Sequence, residues 1–190
     1  PTGYRAAGVA CGIKESGTKD LALIVSDRPA AAAAVYTRNR VQAAPIAVDR
    51  RHLEDGSAQA VILNSGNANA CTGAPGEADA ERMCALSARQ LGFAPTDVLV
   101  CSTGVIGVPL PMDLIESNIA PLVEALSATG GISCAEAMMT TDTVAKHVAV
   151  QGRCHDLAEY GDHACRRLHR RGSAGDPVAG VARRGSRSKF

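Results

Sequence analysis

Three short apolar runs, each bounded by Asp, Asn, Ser or Gly, lie at residues 21–25, 60–63 and 98–100. Runs this short with such flanks predict β-strands that are buried on both faces, although periodicity alone does not separate them from buried helix. Val148 and Val150 share one face of residues 146–150, which predicts a further strand.

Apolar residues recur at the spacing of an α-helix in two stretches, one between the runs at 60–63 and 98–100 and one after residue 100. The first has acidic residues in its opening turns and ends at Gly92, as is typical of a helix C-terminus. The second begins near Pro111, is predicted to be kinked or split by Pro121, and is predicted to end at Gly130 and Gly131. The two apolar stripes are Ala80, Met83, Cys84, Ala88, Leu91 and Ile115, Ile119, Leu122, Leu126. Because strands and helices alternate, the pattern predicts a mixed α and β fold.

Composition narrows the kind of core and the class of protein. Of 190 residues, 46% are hydrophobic but only 3% are aromatic, so small aliphatic side chains must fill the core. The net charge of +1 indicates neither nucleic acid nor a membrane surface as partner, and no apolar run approaches the roughly 20 residues of a membrane helix. Seven cysteines scattered singly and the lack of a secretory signal favour a reducing cytoplasm.

The charge balance changes near Gln151. Residues 1–150 carry 11 basic and 15 acidic groups, a net of −4, whereas residues 151–190 carry 9 basic and 4 acidic groups, a net of +5. The second region also has Arg pairs, glycines and little apolar periodicity. We therefore predict two regions, 1–150 and 151–190.

A polar, Asn-rich segment at residues 64–73 directly follows the run at 60–63. The end of a strand in an α/β protein is a common place for a ligand. A turn explains the same residues equally simply, because Asn tolerates left-handed backbone conformations. Composition alone favours the turn.

A second segment, residues 101–107, follows the run at 98–100. The hydroxyl group of Thr103 and the backbone N–H of Gly104 could converge on one oxygen atom, as the donors of an oxyanion hole do. The alternative is a tight turn. Cys101 is a nucleophile in principle, but a buried structural thiol is the favoured interpretation.

A third segment, residues 138–143, places three hydroxyl groups and one carboxylate within four residues. Such a cluster suits a polar substrate, and it suits the N-cap of a helix equally well.

Taken in order, six stretches resemble the ornithine acetyltransferase (glutamate N-acetyltransferase) family. They are GYRAAGVACGIK at 3–14, DLALIVSD at 20–27, VYTRNRVQAAPI at 35–46, AVILNSGNANACTG at 60–73, CSTGVIG at 101–107 and AMMTTDT at 137–143. The resemblance covers about residues 1–150.

This resemblance implies a helix–sheet–sheet–helix layered sandwich, of which the chain would be the N-terminal (α-chain) portion. In the family a precursor cuts itself, the β chain begins with the catalytic Thr, and the assembly is α2β2. That Thr takes acetyl from N-acetylornithine and passes it to glutamate through a covalent intermediate. Some members accept acetyl-CoA as a co-substrate, and no cofactor or metal is implied.

The resemblance also assigns residues. Thr103 and Gly104 match the oxyanion-hole pair, and Thr140 matches a substrate-binding position. No role is carried onto any single residue of the Asn-rich segment. A Lys-Gly-x-Gly-Met segment followed by Ala-Thr, where the family is cut, does not occur after residue 143. The nucleophile is therefore expected to be missing from this chain.

Residues 151–190 have three interpretations: a frameshifted coding region, which we favour, a genuine basic tail, or a metal site. The metal ligands would be Cys154, His155, His163, Cys165 and His169, but their spacing is not one typical of zinc. Nucleic-acid binding by the Arg pairs is disfavoured because the tail has few aromatic residues. Alternative functions are an amidohydrolase or aminopeptidase of the same architecture, and an inactive truncated chain with a basic binding tail.

Overall fold

The structure, a computed structural model, describes residues 2–146. The strands in this region are β1 (Tyr4–Val9), β2 (Leu21–Ala31), β3 (Ser57–Asn67) and β4 (Val98–Val105). The helices are α1 (Ala44–His52), α2 (Gly73–Leu91), α3 (Met112–Glu124) and α4 (Gly131–Ala137), and one short 3-10 turn spans Pro95–Asp97. The mixed α and β class predicted from the sequence is confirmed.

The four described strands form one sheet in the order β1-β2-β3-β4. β1 pairs with β2, and β2 with β3, in antiparallel fashion, whereas β3 and β4 are parallel. A parallel pair needs a crossover connection, and α2 lies in that connection. The carboxyl ends of β3 and β4 therefore lie side by side, so the Asn-rich segment meets the Thr103–Gly104 segment there.

One face of the sheet packs against helices α1, α2 and α3. Alternate residues of β3 (Ala58, Ala60 and Ile62) are buried on this face, as the two-residue period of a strand requires. The core residues that lose all contact with solvent are Leu21, Leu23, Val25, Val48, Ile62, Ala80, Met83, Cys84, Ala88, Val98, Val100, Ile115 and Leu122. None of them is aromatic, as the composition requires.

The other face of the sheet is only partly covered. Helix α4 packs over β1 and β2, where Ala22, Cys134 and Ala137 form a small second cluster. Toward β4 the cover from residues 2–146 ends, and we call this region the open face; its residues are Val61 and Leu63 of β3 and Leu99, Cys101 and Thr103 of β4, with Leu63 at its border with the α4 cluster. Burial on both faces was therefore predicted correctly for the start of β2 but wrongly for β3 and β4.

The predicted runs lie inside β2, β3 and β4, and the first predicted helix is α2, which ends at Gly92 in the left-handed conformation. The second predicted helix is α3, which begins after Pro111 as expected, but its end was predicted incorrectly. It stops at Glu124 instead of Gly130, and Pro121 lies within it without dividing it. The helix ends early because the chain then pairs with β1: Ala6 and Ser127 exchange two backbone hydrogen bonds of 2.9 and 3.1 Å. The strand predicted at 146–150 and the boundary at 150 fall outside the described residues.

The outer edge of β4 is occupied by two side chains of α1. Asp49 accepts a hydrogen bond of 2.9 Å from the N–H of Val100, and His52 donates one of 2.7 Å from Nδ1 to the carbonyl of Val98. Both side chains are buried. Burial raises the pKa of Asp49 to about 6, although the Val100 N–H and His52 favour its charged form.

The raised pKa of Asp49 predicts a pH-dependent stability. The folded chain holds this proton to higher pH than the unfolded chain, so folding takes up protons between about pH 4 and pH 6. Stability therefore falls as pH rises through that window. Relative to Asp49→Asn, which keeps an oxygen acceptor for Val100, the wild type should lose on the order of 3 kcal/mol between pH 4 and pH 7.

Urea unfolding at a series of pH values measures this difference, with both proteins joined to the β-chain portion that the family resemblance implies. A difference that stays constant across the window would show that Asp49 is ionised in the folded chain.

Candidate functional site

The carboxyl ends of β3 and β4 approach each other closely at two glycines. Gly66 and Gly104 are paired across the strands and have φ angles of +105° and +138°. A Cβ atom at Gly104 would lie 2.2 Å from the carbonyl carbon of Gly66 and 2.5 Å from the nitrogen of Asn67. Both backbone conformation and space therefore require glycine at position 104.

The pairing of the strands is irregular at this point. Asn67 pairs with both Thr103 and Val105, so Gly104 is the residue at which β4 bulges. Bulges re-aim the groups around them and are common beside active sites. The irregular β3–β4 pairing thus coincides with the Thr-Gly pair that the sequence singled out.

Thr103 lies on the open face, next to this bulge. It is exposed, and within residues 2–146 its hydroxyl group makes no hydrogen bond. Gly104 is exposed as well. A hydroxyl donor and a glycine backbone thus stand side by side on an uncovered strand, with no side chain at position 104 to block an approaching ligand.

Cys101 lies on the same face, two residues before Thr103, and it is exposed. The prediction of a buried structural thiol was wrong, because the open face lacks a covering layer over β4 among the described residues. Loss of solvent around the sulfur nonetheless raises the pKa of the Cys101 thiol to about 11, and burial together with the neighbouring Asp20 raises that of the buried Cys11 to about 12. The five cysteines within residues 2–146 are unpaired.

Asparagine side chains hold the chain that follows Gly104. The buried Asn67 donates from Nδ2 to the carbonyls of Val108 and Pro109, at 3.0 Å each, and its Oδ1 accepts from the N–H of Asn69 at 2.8 Å. Asn69 is fully buried, has a φ of +45°, and donates to the carbonyl of Gly76 at 2.7 Å. These amides are engaged with the backbone, which supports a turn for residues 68–73, whereas residues 64–67 of the Asn-rich segment belong to β3.

Asp20, which the sequence did not single out, organises the loop behind Gly66. Its buried carboxylate accepts hydrogen bonds from the N–H groups of Cys11, Gly12 and Lys14, at 2.6, 3.2 and 2.9 Å. This loop packs directly on Gly66, where an added Cβ would lie 2.8 Å from Ile13. In the sequence, Asp20 appears only as the polar residue before an apolar run, so nothing local signals its role.

Thr140 is exposed and lies three residues beyond the end of α4. The backbone leading to it is fixed by two side chains. Ser65 donates to the carbonyl of Ala137 at 2.5 Å, and the ammonium group of Lys14 donates to the carbonyl of Met139 at 2.6 Å. Ser65 is the strand partner of Thr103. The structure thus brings the segment that precedes Thr140 to the strand position beside Thr103.

The remaining candidate ligands do not form a site in the described region. Within residues 2–146 no group of three His, Cys, Asp or Glu side chains is placed to hold a metal ion. The five candidate zinc ligands between 154 and 169 lie outside that region. Over the same part of the chain, no helix is long and apolar enough to cross a membrane.

The sequence and the fold have counterparts among known proteins. A sequence model of the ArgJ family matches residues 5–161. The chain is 55% identical over 150 residues to the arginine biosynthesis bifunctional protein ArgJ of Gloeobacter violaceus, and 52% identical over 153 residues to that of Symbiobacterium thermophilum. The alignments cover 78% and 80% of this chain but only 37% and 38% of those relatives.

Two solved structures share the fold. The crystal structure of ArgJ from Bacillus halodurans aligns with a TM-score of 0.72 and 46% identity, over 75% of this chain and 75% of that one. The structure of ornithine acetyltransferase complexed with ornithine from Mycobacterium tuberculosis aligns with a TM-score of 0.73 and 47% identity, over 76% of this chain and 79% of that one. The protein has the mixed α and β fold of these two structures. The chain belongs to the ArgJ family.

Proposed function

We propose that this chain is the N-terminal portion of an ornithine acetyltransferase and that it supplies the oxyanion hole and part of the substrate pocket. The observation that carries the proposal is the pair formed by Thr103 and Gly104. A free hydroxyl donor stands beside a backbone position from which every side chain is excluded, at the exposed end of two parallel strands. Donors held in place in this way stabilise the negative oxygen of an acyl-transfer intermediate.

The relatives support a class of substrate. The curated relatives are named for arginine biosynthesis, and the transferase of Mycobacterium tuberculosis is described as complexed with ornithine. Acetyl would pass from N-acetylornithine to glutamate, with acetyl-CoA as an alternative donor. Thr140 would contact the amino-acid substrate, because its segment is held next to the strand that carries Thr103.

The nucleophile would come from a β chain. The chain spans about 37% of the length of a curated relative, yet a similar alignment covers 75% of the solved chain from Bacillus halodurans. That solved chain is therefore about half as long as the curated relative, which supports enzymes built from two chains. A second sheet from the β chain would cover the open face and complete the helix–sheet–sheet–helix sandwich, with α2β2 as the assembly.

A fusion tests the proposal. Residues 1–146 of this chain are joined to the remaining length of the Gloeobacter violaceus relative, and we call the product the reconstituted enzyme. It should form N-acetylglutamate from N-acetylornithine and glutamate, measured by mass spectrometry, with ornithine released in equal amount. Release of free acetate without N-acetylglutamate would instead favour an amidohydrolase. Absence of both products from a folded fusion would contradict the proposal.

A further inference from the structure

Lys14 joins the two ends of the proposed site. Its side-chain stem lies beside Gly66, where an added Cβ would be 3.3 Å from Lys14 Cγ, and Gly66 is the strand partner of Gly104. Its ammonium group reaches the other end, donating 2.6 Å to the carbonyl of Met139, the residue before Thr140. A second bond of 2.9 Å goes to the carbonyl of Lys19.

The setting of Lys14 is unusual for a lysine. The residue is half-buried, and loss of solvent lowers the pKa of its ammonium group despite the nearby carboxylate of Asp20. Its backbone N–H is also fixed, since it donates to Asp20 at 2.9 Å. A lysine anchored at its backbone, enclosed along its stem and bonded to two carbonyls has little of the freedom that surface lysines keep.

The contact with Met139 links residues that are 125 positions apart in the chain. Beyond α4 the chain has left regular structure, and Thr140 itself is exposed. Within residues 2–146, the bond from Lys14 is the side-chain hydrogen bond that reaches the backbone of residues 138–140. Together with the bond from Ser65 to the carbonyl of Ala137, it holds the segment that leads to Thr140, and Lys14 contacts the residue nearest to Thr140.

We propose that Lys14 is a positioning residue: by holding the carbonyl of Met139 it places Thr140, and so sets the affinity for the amino-acid substrate. This inference rests on the proposed function for its kinetic consequence but not for its structural one. Lys14 acts through Thr140. Its loss should not move the oxyanion-hole donors Thr103 and Gly104, because their backbone is held by the pairing of β4 with β3. Its loss should therefore raise KM and leave kcat nearly unchanged.

The test substitutes Lys14→Met in the reconstituted enzyme, which keeps an unbranched stem and removes the ammonium donors. KM for N-acetylornithine should rise about ten- to a hundredfold, the range expected for losing a charged hydrogen bond. Lys14→Arg, which restores a cationic donor, should recover most of the affinity. The matched control is Lys19→Met, because Lys19 binds Ser133 and Glu136 of α4 without touching residues 138–140. Its KM should change less than about threefold.

Hydrogen exchange separates this inference from the proposed function. In the Lys14→Met protein, backbone amides of residues 138–143 should exchange at least about tenfold faster than in the wild type, whereas Lys19→Met should leave them unchanged. If wild-type fusion transfers no acetyl, the proposed function fails while the exchange result still decides the role of Lys14. Unchanged exchange in residues 138–143, or a fall in kcat with unchanged KM, would overturn the proposal.

Discussion

Thr103→Val in the reconstituted enzyme should lower kcat by about a hundred- to a thousandfold, with little change in KM. Valine keeps the shape of threonine and removes the hydroxyl donor, and loss of one oxyanion-hole donor has an effect of this size. The hydroxyl group makes no hydrogen bond within residues 2–146, so its removal orphans no described partner and should not unfold the site. Steady-state kinetics with N-acetylornithine and glutamate measure both constants.

Thr18→Val is the control for Thr103→Val. Thr18 is an exposed threonine in a surface turn, and among the described residues its hydroxyl bonds only with Ser16. Its kcat should remain within about twofold of wild type, because surface substitutions have small effects. Equal kcat for Thr103→Val and the wild type would remove Thr103 from the oxyanion hole.

The chain of 190 residues expressed by itself should show no transferase activity, a complete loss relative to the reconstituted enzyme. An oxyanion hole stabilises charge that appears only after a nucleophile has attacked, and the expected nucleophile belongs to a β chain. The chain should also be poorly soluble or loosely folded. Within residues 2–146, Val61, Leu63 and Leu99 on the open face remain partly exposed, and Ile106, just beyond β4, is 63% exposed.

Co-expression tests the contribution of residues 151–190. The chain with all 190 residues is produced together with a separate chain, the C-terminal portion of the Gloeobacter violaceus relative. We expect folding to improve but activity to remain lost, because the tail would displace the segment that precedes the nucleophile. Size-exclusion chromatography and the N-acetylglutamate assay report the two properties. A monodisperse 190-residue chain that transfers acetyl unaided would refute this account.

The sequence predicted those helices and strands whose apolar pattern and end signals lie within one short stretch of chain. α2 was predictable because its apolar stripe and its closing glycine lie within one stretch of chain. α1 was not, because two of its four buried residues are Asp49 and His52, which an apolar pattern cannot detect. β1 was missed because its sequence, YRAAGV, has few large apolar residues and is held in the sheet by pairing with β2.

Some residues of the candidate site could be predicted from the sequence and others could not. Thr103 and Gly104 could be singled out because a small Ser-Thr-Gly segment follows an apolar run, and the family resemblance assigned their role. The local sequence could not show why position 104 needs glycine, because a Cβ atom at that position would clash with the backbone of Gly66, which lies on another strand. Asp20 and Lys14 act through contacts that depend on the folded chain, so no sequence pattern indicated either residue.

The side chains of Asp49 and His52 on β4 also govern how an unassembled chain can misassociate. They use the N–H of Val100 and the carbonyl of Val98, groups through which another strand would have to add. At the opposite margin, Ser127 occupies both backbone groups of Ala6 on β1. Because both edges of the four-stranded sheet are occupied at these residues, another strand cannot add there and extend the sheet into a fibril. Unassembled chains would then associate through the open face beside Thr103.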